Sequence, residues 1–548
     1  MKTTIKIMGT ILVLLLLAFS SVPGAQAVSS HPAESGNRTI SPQAAEPGAK
    51  VSSLLSLQVD AKMRCQQTLP TADELSMMKA RGMRTENLDV QRVFIHFAQE
   101  PAVQQIEELE AMGITPYPDS WIPPVGEYPT GFIAADMPVD RLGELAGKAY
   151  IEWLDTAEQM LEPQNDLAAT KTNADDAWSS GYDGEGIRIA VLDSGVDTTH
   201  PDIPAPVASK DYSNWPVLDD TIANQVTGHG THVAGSAVGR GTQSAAATHQ
   251  YKGMAPGADL IFLKIGNDTT AGASLDAMTN AIKDAVDTYD ADIITMSYGG
   301  WGYYHDGTRQ TSQAVDYAFS KGAVVFISAG NEADDDEHCS GTVNAYSTTG
   351  FIQVNVTGSN GANAGLGFNL VWYDSLANSN DLVLEYYDST QTAIADTWAT
   401  AQEESWKGTE HELSGYGREA GWYYYLPAGS PTYYLKVTNN SDTDQFFHIY
   451  FEGITSNGAA VKFQDADPLY TISSPADAEK AIAVGAYTTR KSWTNYAGSV
   501  YNYIDPEETV DTMSSFSSRG PRVDSGAPQK PNIIAPGSAI ISTRDQDV

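Results

Sequence analysis

The hydrophobic positions change their period as the chain is read. Gln91–Phe97 (QRVFIHF) alternates like a strand. Val103, Ile106 and Leu109 then recur at helical spacing, with Gly113 placed as a stop. A second round follows: GFIAADMP (131–138) reads as a strand, Val139, Leu142 and Leu145 as a helical stripe, and AYIEWLD (149–155) as a closing strand. Residues 91–157 thus predict a small α+β unit. From Ile187 the pattern becomes that of an α/β domain with a parallel sheet. Short, very apolar segments (IRIAVLDSG, ADLIFLKIG, ADIITMSYGG, GAVVFISAGN) alternate with the helical runs SLDAMTNAIKDAVDTY and TRQTSQAVDYAFSKG.

Beyond these runs the pattern turns to hairpins. IQVNVTG, FNLVWYD, DLVLEYYD, WYYYLPAG, TYYLKVTN and FFHIYFEG read as strands of an antiparallel sandwich. Residues 28–90 are weak in periodic pattern and rich in Ser, Pro and Ala, which predicts a poorly ordered lead-in. At the start, Lys2 and Lys6 precede an apolar stretch from Met8 to Ala18, and Ala25–Ala27 supplies a small-residue cleavage site. Residues 1–27 read as an export signal, since the stretch is shorter than the roughly 20 residues that span a bilayer. An uncleaved anchor is the alternative. The expected plan is a signal peptide (1–27), the lead-in (28–90), the α+β unit (91–157), an α/β domain in two parts (158–345 and 466–548) and an inserted β-sandwich (346–465).

Composition adds limits. The chain has 548 residues, 41% of them hydrophobic, enough for more than one core. Its 32 basic and 69 acidic residues give a formal charge of -37, which disfavours nucleic acid and anionic membranes as partners. Cys65 and Cys339 are the only cysteines, so no disulfide framework holds the fold, and neither is read as a nucleophile.

Candidate chemistry gathers where the parallel strands end, the place where such sheets bind ligands. Asp193 follows the buried run Ile189–Leu192 and could orient an imidazole; a turn-capping Asp before Ser-Gly is the bland alternative. His229 lies among glycines in TGHGTHVAGSAVG, where Ala234, Gly235 and Ala237 let a helix pack closely. It could instead be a packed core histidine or form a metal pair with His232, but no third ligand motif accompanies it. Asn331, in FISAGNE at the end of a buried strand, could donate to an oxyanion or simply sit in a turn. Gly299 and Gly300 in SYGG open a strand edge to an extended peptide.

In this order the segments resemble the subtilisin-like serine proteases. AVLDSGVDTTHPDI, GHGTHVAG, GMAPGADL, SYGG, ISAGNE, SSFSSRGP and KPNIIAPG carry the resemblance. It implies that Asp193 orients His229, that His229 is general base and then acid, and that Asn331 donates to the oxyanion. Ser297, Tyr298, Gly299 and Gly300, with Ser328, Ala329 and Gly330, would line the peptide cleft and primary specificity pocket. Tyr298 would be an aromatic wall. In this family the segment after KPNIIAPG leads to a Gly-Thr-Ser-Met-Ala motif whose serine is the nucleophile. The sequence contains no Gly-Thr-Ser, and Ser538 lies in a loop before the last apolar run, so the expectation is a chain cut before its nucleophile, inactive and poorly folded as written.

The resemblance also makes 91–157 a propeptide, with maturation between Asp155 and Asp166 and Cys339 left unpaired in the mature enzyme. Between AGNE and TISSPADAEK 138 residues (333–470) intervene where the family needs a short connection, hence the inserted domain. Its NSNDLVLEYYD and YYYLPAGSPTYYLKV resemble β-sandwich modules of secreted proteases. Trp372, Trp422 and Tyr424 could stack on sugars there or pack its core. The run EADDDEHC could hold calcium, against the plainer reading of solvated charge. No cofactor is required. The expected protein is a secreted serine endopeptidase precursor acting on proteins or peptides and held by its own propeptide, without a membrane role after signal cleavage. A catalytically inactive scaffold that binds peptides is the alternative.

Overall fold

A computed structural model describes residues 50–544 except 68–69, 72–73, 76–77, 80–82, 159, 164–171, 214–227, 244–250, 268–270, 360–361, 375–381, 417–424, 428–430, 457, 495–499, 503–507 and 525–527. The export signal, Trp422 and Tyr424 lie outside the described residues.

The N-terminal unit is an antiparallel sheet under helices. Its strands are β1 (Val90–Phe97), β2 (Thr115–Ile122), β3 (Gly131–Pro138) and β4 (Trp153–Thr156), in the order β2-β3-β1-β4. Helices α1 (Ser53–Gln67), α2 (Val103–Ala111) and α3 (Leu142–Ala146) accompany them. The lead-in reading fails at α1, a fifteen-residue helix. Its Leu55 and Val59 join a core with Val93, Ile95 and Phe97 of β1. Packing against that sheet, which a local pattern does not report, stabilises the helix.

The alternation in β1 has an unexpected second face. Arg92, Phe94 and His96 point away from the unit's own core yet are buried against the rest of the molecule. Arg92 makes ion pairs with Asp136 (2.5 Å) and with Asp276 (2.9 Å), which stands across the junction. His96 Nδ1 lies 3.0 Å from Thr130 Oγ1, and its Nε2 lies 3.3 Å from Gln310 Nε2, which also donates to Asp155. Burial pushes the His96 pKa down to about 3. An unfolded histidine takes its proton near 6.5, so between these values the unfolded chain binds more protons and stability falls as pH falls. His96→Gln should shrink the stability lost between pH 7 and pH 4.5 by roughly 2–3 kcal/mol, as read from urea midpoints at the two pH values.

The second unit is built on a seven-stranded parallel sheet. Its strands are β6 (Arg188–Asp193), β7 (Ala208–Asp211), β8 (Asp259–Lys264), β10 (Ile293–Met296), β12 (Val324–Ser328), β13 (Ile482–Thr488) and β14 (Ile533–Ser538), in the order β14-β13-β12-β10-β6-β8-β7. Helices cover both faces, so alternate residues of β6 enter different cores. Ile189 and Val191 meet Val233 and Val238 of α4 (His229–Val238); Ala190 and Leu192 meet Met278 and Ile282 of α5 (Leu275–Asp287). Helix α6 (Gln310–Ser320) lies beside α5. The predicted strands and helices of this region are all present.

Two further antiparallel sheets share one core between residues 338 and 463. One runs His338–Val343, Gln445–Phe451, Gly367–Tyr373, Thr409–Tyr416 and Thr397–Ala399; the other runs Leu382–Tyr387, Thr432–Asn439, Ile352–Thr357 and Ala460–Phe463. The first strand begins at His338, so the acidic run leads straight into this sheet rather than preceding a boundary at 346. Trp372 is fully buried in the shared core and presents no face to a sugar. Cys339 is buried in the same core, and burial pushes its thiol well above the ordinary range. Among the described residues no helix is long and apolar enough to cross a membrane.

Candidate active site

Three adjacent parallel strands bring the candidate residues to one edge of the sheet. Asp193 ends β6, Ser297 follows β10 and Ser328 ends β12, all at carboxyl ends. His229 opens α4 directly after Gly228, whose φ of 64° is the left-handed turn that starts the helix beside β6. At Gly230 an added Cβ would lie 2.1 Å from the Gly195 carbonyl oxygen, so a side chain there would push the helix off the strand end. The glycines of GHGTH thus set the distance between the carboxylate and the imidazole.

That distance is short. His229 Nδ1 lies 2.6 Å from Asp193 Oδ1, with Asp193 fully buried and the imidazole largely so. The Ser194 amide donates to the same oxygen at 2.7 Å. A carboxylate so held fixes the imidazole with its proton on Nδ1, leaving Nε2 as the proton-accepting atom, and stabilises an imidazolium when one forms. Two neighbours complete the support: Lys264, not foreseen in the sequence, and Tyr298, expected there only as a wall of the peptide cleft. Lys264 Nζ, buried, donates to the carbonyls of Ser194 and Gly266 (2.7 and 2.6 Å), holding the turn after Asp193. Tyr298 meets the His229 ring edge-on at 6.1 Å and donates to Ala271 O at 2.6 Å. With β5 paired along it, Tyr298 is fully buried, and its ring backs the imidazole. A buried Lys at a strand end and a Tyr before Gly-Gly carry no sequence signal of these roles.

Tyr298 and Gly299 form β11, whose edge is occupied. Strand β5 (Met160–Pro163) pairs antiparallel with it, Tyr298 opposite Pro163 and Gly299 opposite Glu162. The other edge of β5 pairs with β9 (Ala273–Ser274). Gly300 exchanges backbone hydrogen bonds with Ser474 at 3.2 and 2.8 Å. The Ser328–Gly330 stretch is fixed by its main chain: Ala329 N donates to Val484 O, and Ala329 O and Gly330 O accept from Ser473 N and Ser518 N. Gly330 has φ of 119°, and Asn331 lies on the exposed turn that follows.

The acidic run takes local partners. Glu332 Oε2 accepts from Ser473 Oγ (2.9 Å) and Ser518 Oγ (2.5 Å), and burial raises its pKa. Asp334 accepts from Ser515 Oγ, and Asp336 pairs with Lys462. Among the described residues no group of three His, Cys, Asp or Glu side chains is placed to hold a metal ion. His232, half of the alternative metal pair, is held neutral by burial, its pKa pushed down to about 4, and it engages the backbone of Ile540.

The profile of the family described as "Subtilase family" matches residues 184–418 and 437–547, more than half of the chain. The chain belongs to this family. As a subtilase it is similar to the minor extracellular protease Vpr of Bacillus subtilis, 31% identical over 188 residues that span 32% of this chain and 21% of that protein. It is 33% identical to the major intracellular serine protease of the same species over 165 residues, 30% of this chain and 49% of that one. These matches span half or less of the relatives' own length. The solved structure of the Clostridium perfringens CspB protease shares the fold, with a TM-score of 0.52 at 19% identity, covering 70% of this chain and 82% of that chain. Relatives thus include proteases named extracellular and intracellular.

Proposed function

We infer that this subtilase is the precursor of a secreted serine endopeptidase. One observation carries the reading: the 2.6 Å contact between His229 and Asp193 stands at the sheet edge where β11 already holds an extended strand by backbone hydrogen bonds. In the reaction, a substrate strand takes the place of β5 on Tyr298–Gly300. His229 Nε2 accepts the proton of a serine hydroxyl as its oxygen attacks the scissile carbonyl, and Asp193 stabilises the imidazolium. Asn331 donates to the oxyanion. His229 then passes its proton to the leaving amine. Residues 91–157 act as propeptide and β5 as its inhibitory tail, released by maturation between Asp155 and Asp166. The antiparallel unit is an inserted sandwich, and no cofactor enters the scheme.

The serine is to come from the family's Gly-Thr-Ser-Met-Ala segment, which the 548 residues do not contain. Purified Met1–Val548 is expected to hydrolyse no casein-type substrate. The same polypeptide supplied with that segment is expected to hydrolyse it once β5 is displaced. If the supplied serine gives a folded protein that binds extended peptides and cuts none, the inactive scaffold replaces this reading.

A further inference from the structure

Away from the catalytic edge, three buried histidines gather where the antiparallel unit rests on the parallel-sheet unit. His338 and His448 come from the paired strands His338–Val343 and Gln445–Phe451, and His305 from the loop that follows Gly300. The Tyr450 ring joins the two sides, stacked on His305 at 3.6 Å and on His338 at 4.4 Å. Trp301 meets the same ring edge-on at 5.1 Å. His338 Nδ1 donates to the Asp467 carbonyl at 2.8 Å, which leaves its Nε2 to accept from His448 Nδ1 at 3.2 Å. Both nitrogens of His305 are buried without a hydrogen-bond partner. An imidazole so placed costs stability and calls for an explanation.

The column has no place for added protons. A second proton on the His338–His448 pair would set one N–H against the other, and among the described residues no carboxylate lies within ion-pair distance of the three rings. Arg309 and His411 face His305, His411 already meeting Glu403 at 3.2 Å, and Arg522 behind the loop is paired with Asp524. The Asp306 carboxylate is taken by Thr308 and Ser405, and that of Asp467 by Ser340 and the Leu469 amide. Tyr450, Tyr470 and Cys339 are kept neutral by burial. Burial holds the His338 pKa down to about 4 against the pull of Asp467, and His305 and His448 well below the ordinary range.

We propose that this column is an acid-released clasp, which seats the antiparallel unit on the loops behind the peptide cleft near neutral pH and lets go in mildly acidic medium. Released histidines take a proton near 6.5 while seated ones stay neutral, so the released form binds more protons and is favoured as pH falls. Each histidine freed multiplies the released population about 20-fold between pH 7 and pH 5. The effect reaches the cleft along the chain. Trp301 directly follows Gly300; Tyr470, whose carbonyl accepts from Tyr450 Oη at 2.9 Å, leads to Ser473 and Ser474, which bond Ala329 and Gly300. Release therefore loosens both edges of the cleft. The clasp itself stands apart from the precursor reading, and only its effect on a substrate strand draws on it.

Hydrogen exchange of Met1–Val548 at pH 7, 6 and 5, with each rate corrected for its intrinsic pH dependence, tests the clasp. The amides of Gly300, Asp467 and Ser473 donate to the carbonyls of Ser474, His338 and Ala329, so peptides covering 300–309 and 467–474 report release. They are expected to lose protection together by about 20-fold or more from pH 7 to pH 5, and to regain it on return to pH 7. Ile352–Thr357, in the other sheet of the antiparallel unit, should keep its protection, which separates release from unfolding. His305→Phe keeps a ring on Tyr450 but takes no proton, and should reduce the pH dependence by about 20-fold; His448→Gln should act alike. A melting curve at pH 7 reports the folding of each variant, and where one fails to fold the other decides. Equal corrected protection at pH 7 and pH 5, equal pH dependence in parent and folded variant, or loss spread evenly to Ile352–Thr357 overturns the proposal.

Discussion

Asp193→Asn lowers kcat for peptide hydrolysis by about 10⁴-fold when the Gly-Thr-Ser-Met-Ala segment is supplied, with KM changed by no more than about threefold. The magnitude follows from what the carboxylate does. Asp193 Oδ1 accepts from His229 Nδ1 at 2.6 Å and so keeps the proton on that nitrogen. An amide can turn its N–H toward the ring and move the proton to Nε2, where the serine hydroxyl would then meet a donor. It also withdraws the negative charge that stabilises the imidazolium. On the proposed reading substrate pairs along Tyr298–Gly300, which the exchange leaves untouched, so KM is expected to hold. Initial rates on a fluorogenic peptide give both constants. A loss below tenfold would remove Asp193 and His229 from the chemistry.

The second large effect is on stability. Lys62 Nζ lies 2.7 Å from Glu158 Oε2, and both side chains are buried. Glu158 also accepts from the Arg84 and Arg92 amides (2.9 and 2.7 Å), while Lys62 donates to Val90 O at 2.8 Å. Burial lowers the Lys62 pKa and raises that of Glu158, in each case against the pull of its partner. Desolvation therefore outweighs pairing for both groups. Lys62→Met leaves a buried carboxylate without its counter-charge and is expected to cost about 3–5 kcal/mol. Lys62→Met combined with Glu158→Leu should recover most of that loss, since no charge then remains buried. Denaturant unfolding of the single and double variants measures both. A single-variant cost under about 1 kcal/mol, or strict additivity, would show that the pair is not a coupled buried unit.

The pair also links α1 to the end of the N-terminal unit, just before β5. Weakening it is expected to loosen the strand that occupies β11 as well as the helix that reaches the antiparallel unit.

The apolar runs of β6, β8, β10 and β12 identified a parallel sheet because central strands covered on both faces must be apolar along their whole length. The glycine-flanked His229 and strand-ending Asp193 were legible for a related reason: close backbone approach demands residue types that few other positions tolerate. Such local demands are written into the sequence. Tertiary structure decided the rest. Arg92 and His96 are the polar positions of an alternating strand, yet they are buried because a second unit covers them. Helix α1 left little pattern because its apolar residues are divided between two partners. Trp372 is core, Tyr298 backs an imidazole and Lys264 holds a turn, since burial and direction depend on neighbours far along the chain. The sequence by itself determined the strands and helices of the parallel-sheet unit and which two side chains sit at the sheet's edge. Only folding decided which surfaces those segments share, because the free energy of a buried face depends on what covers it.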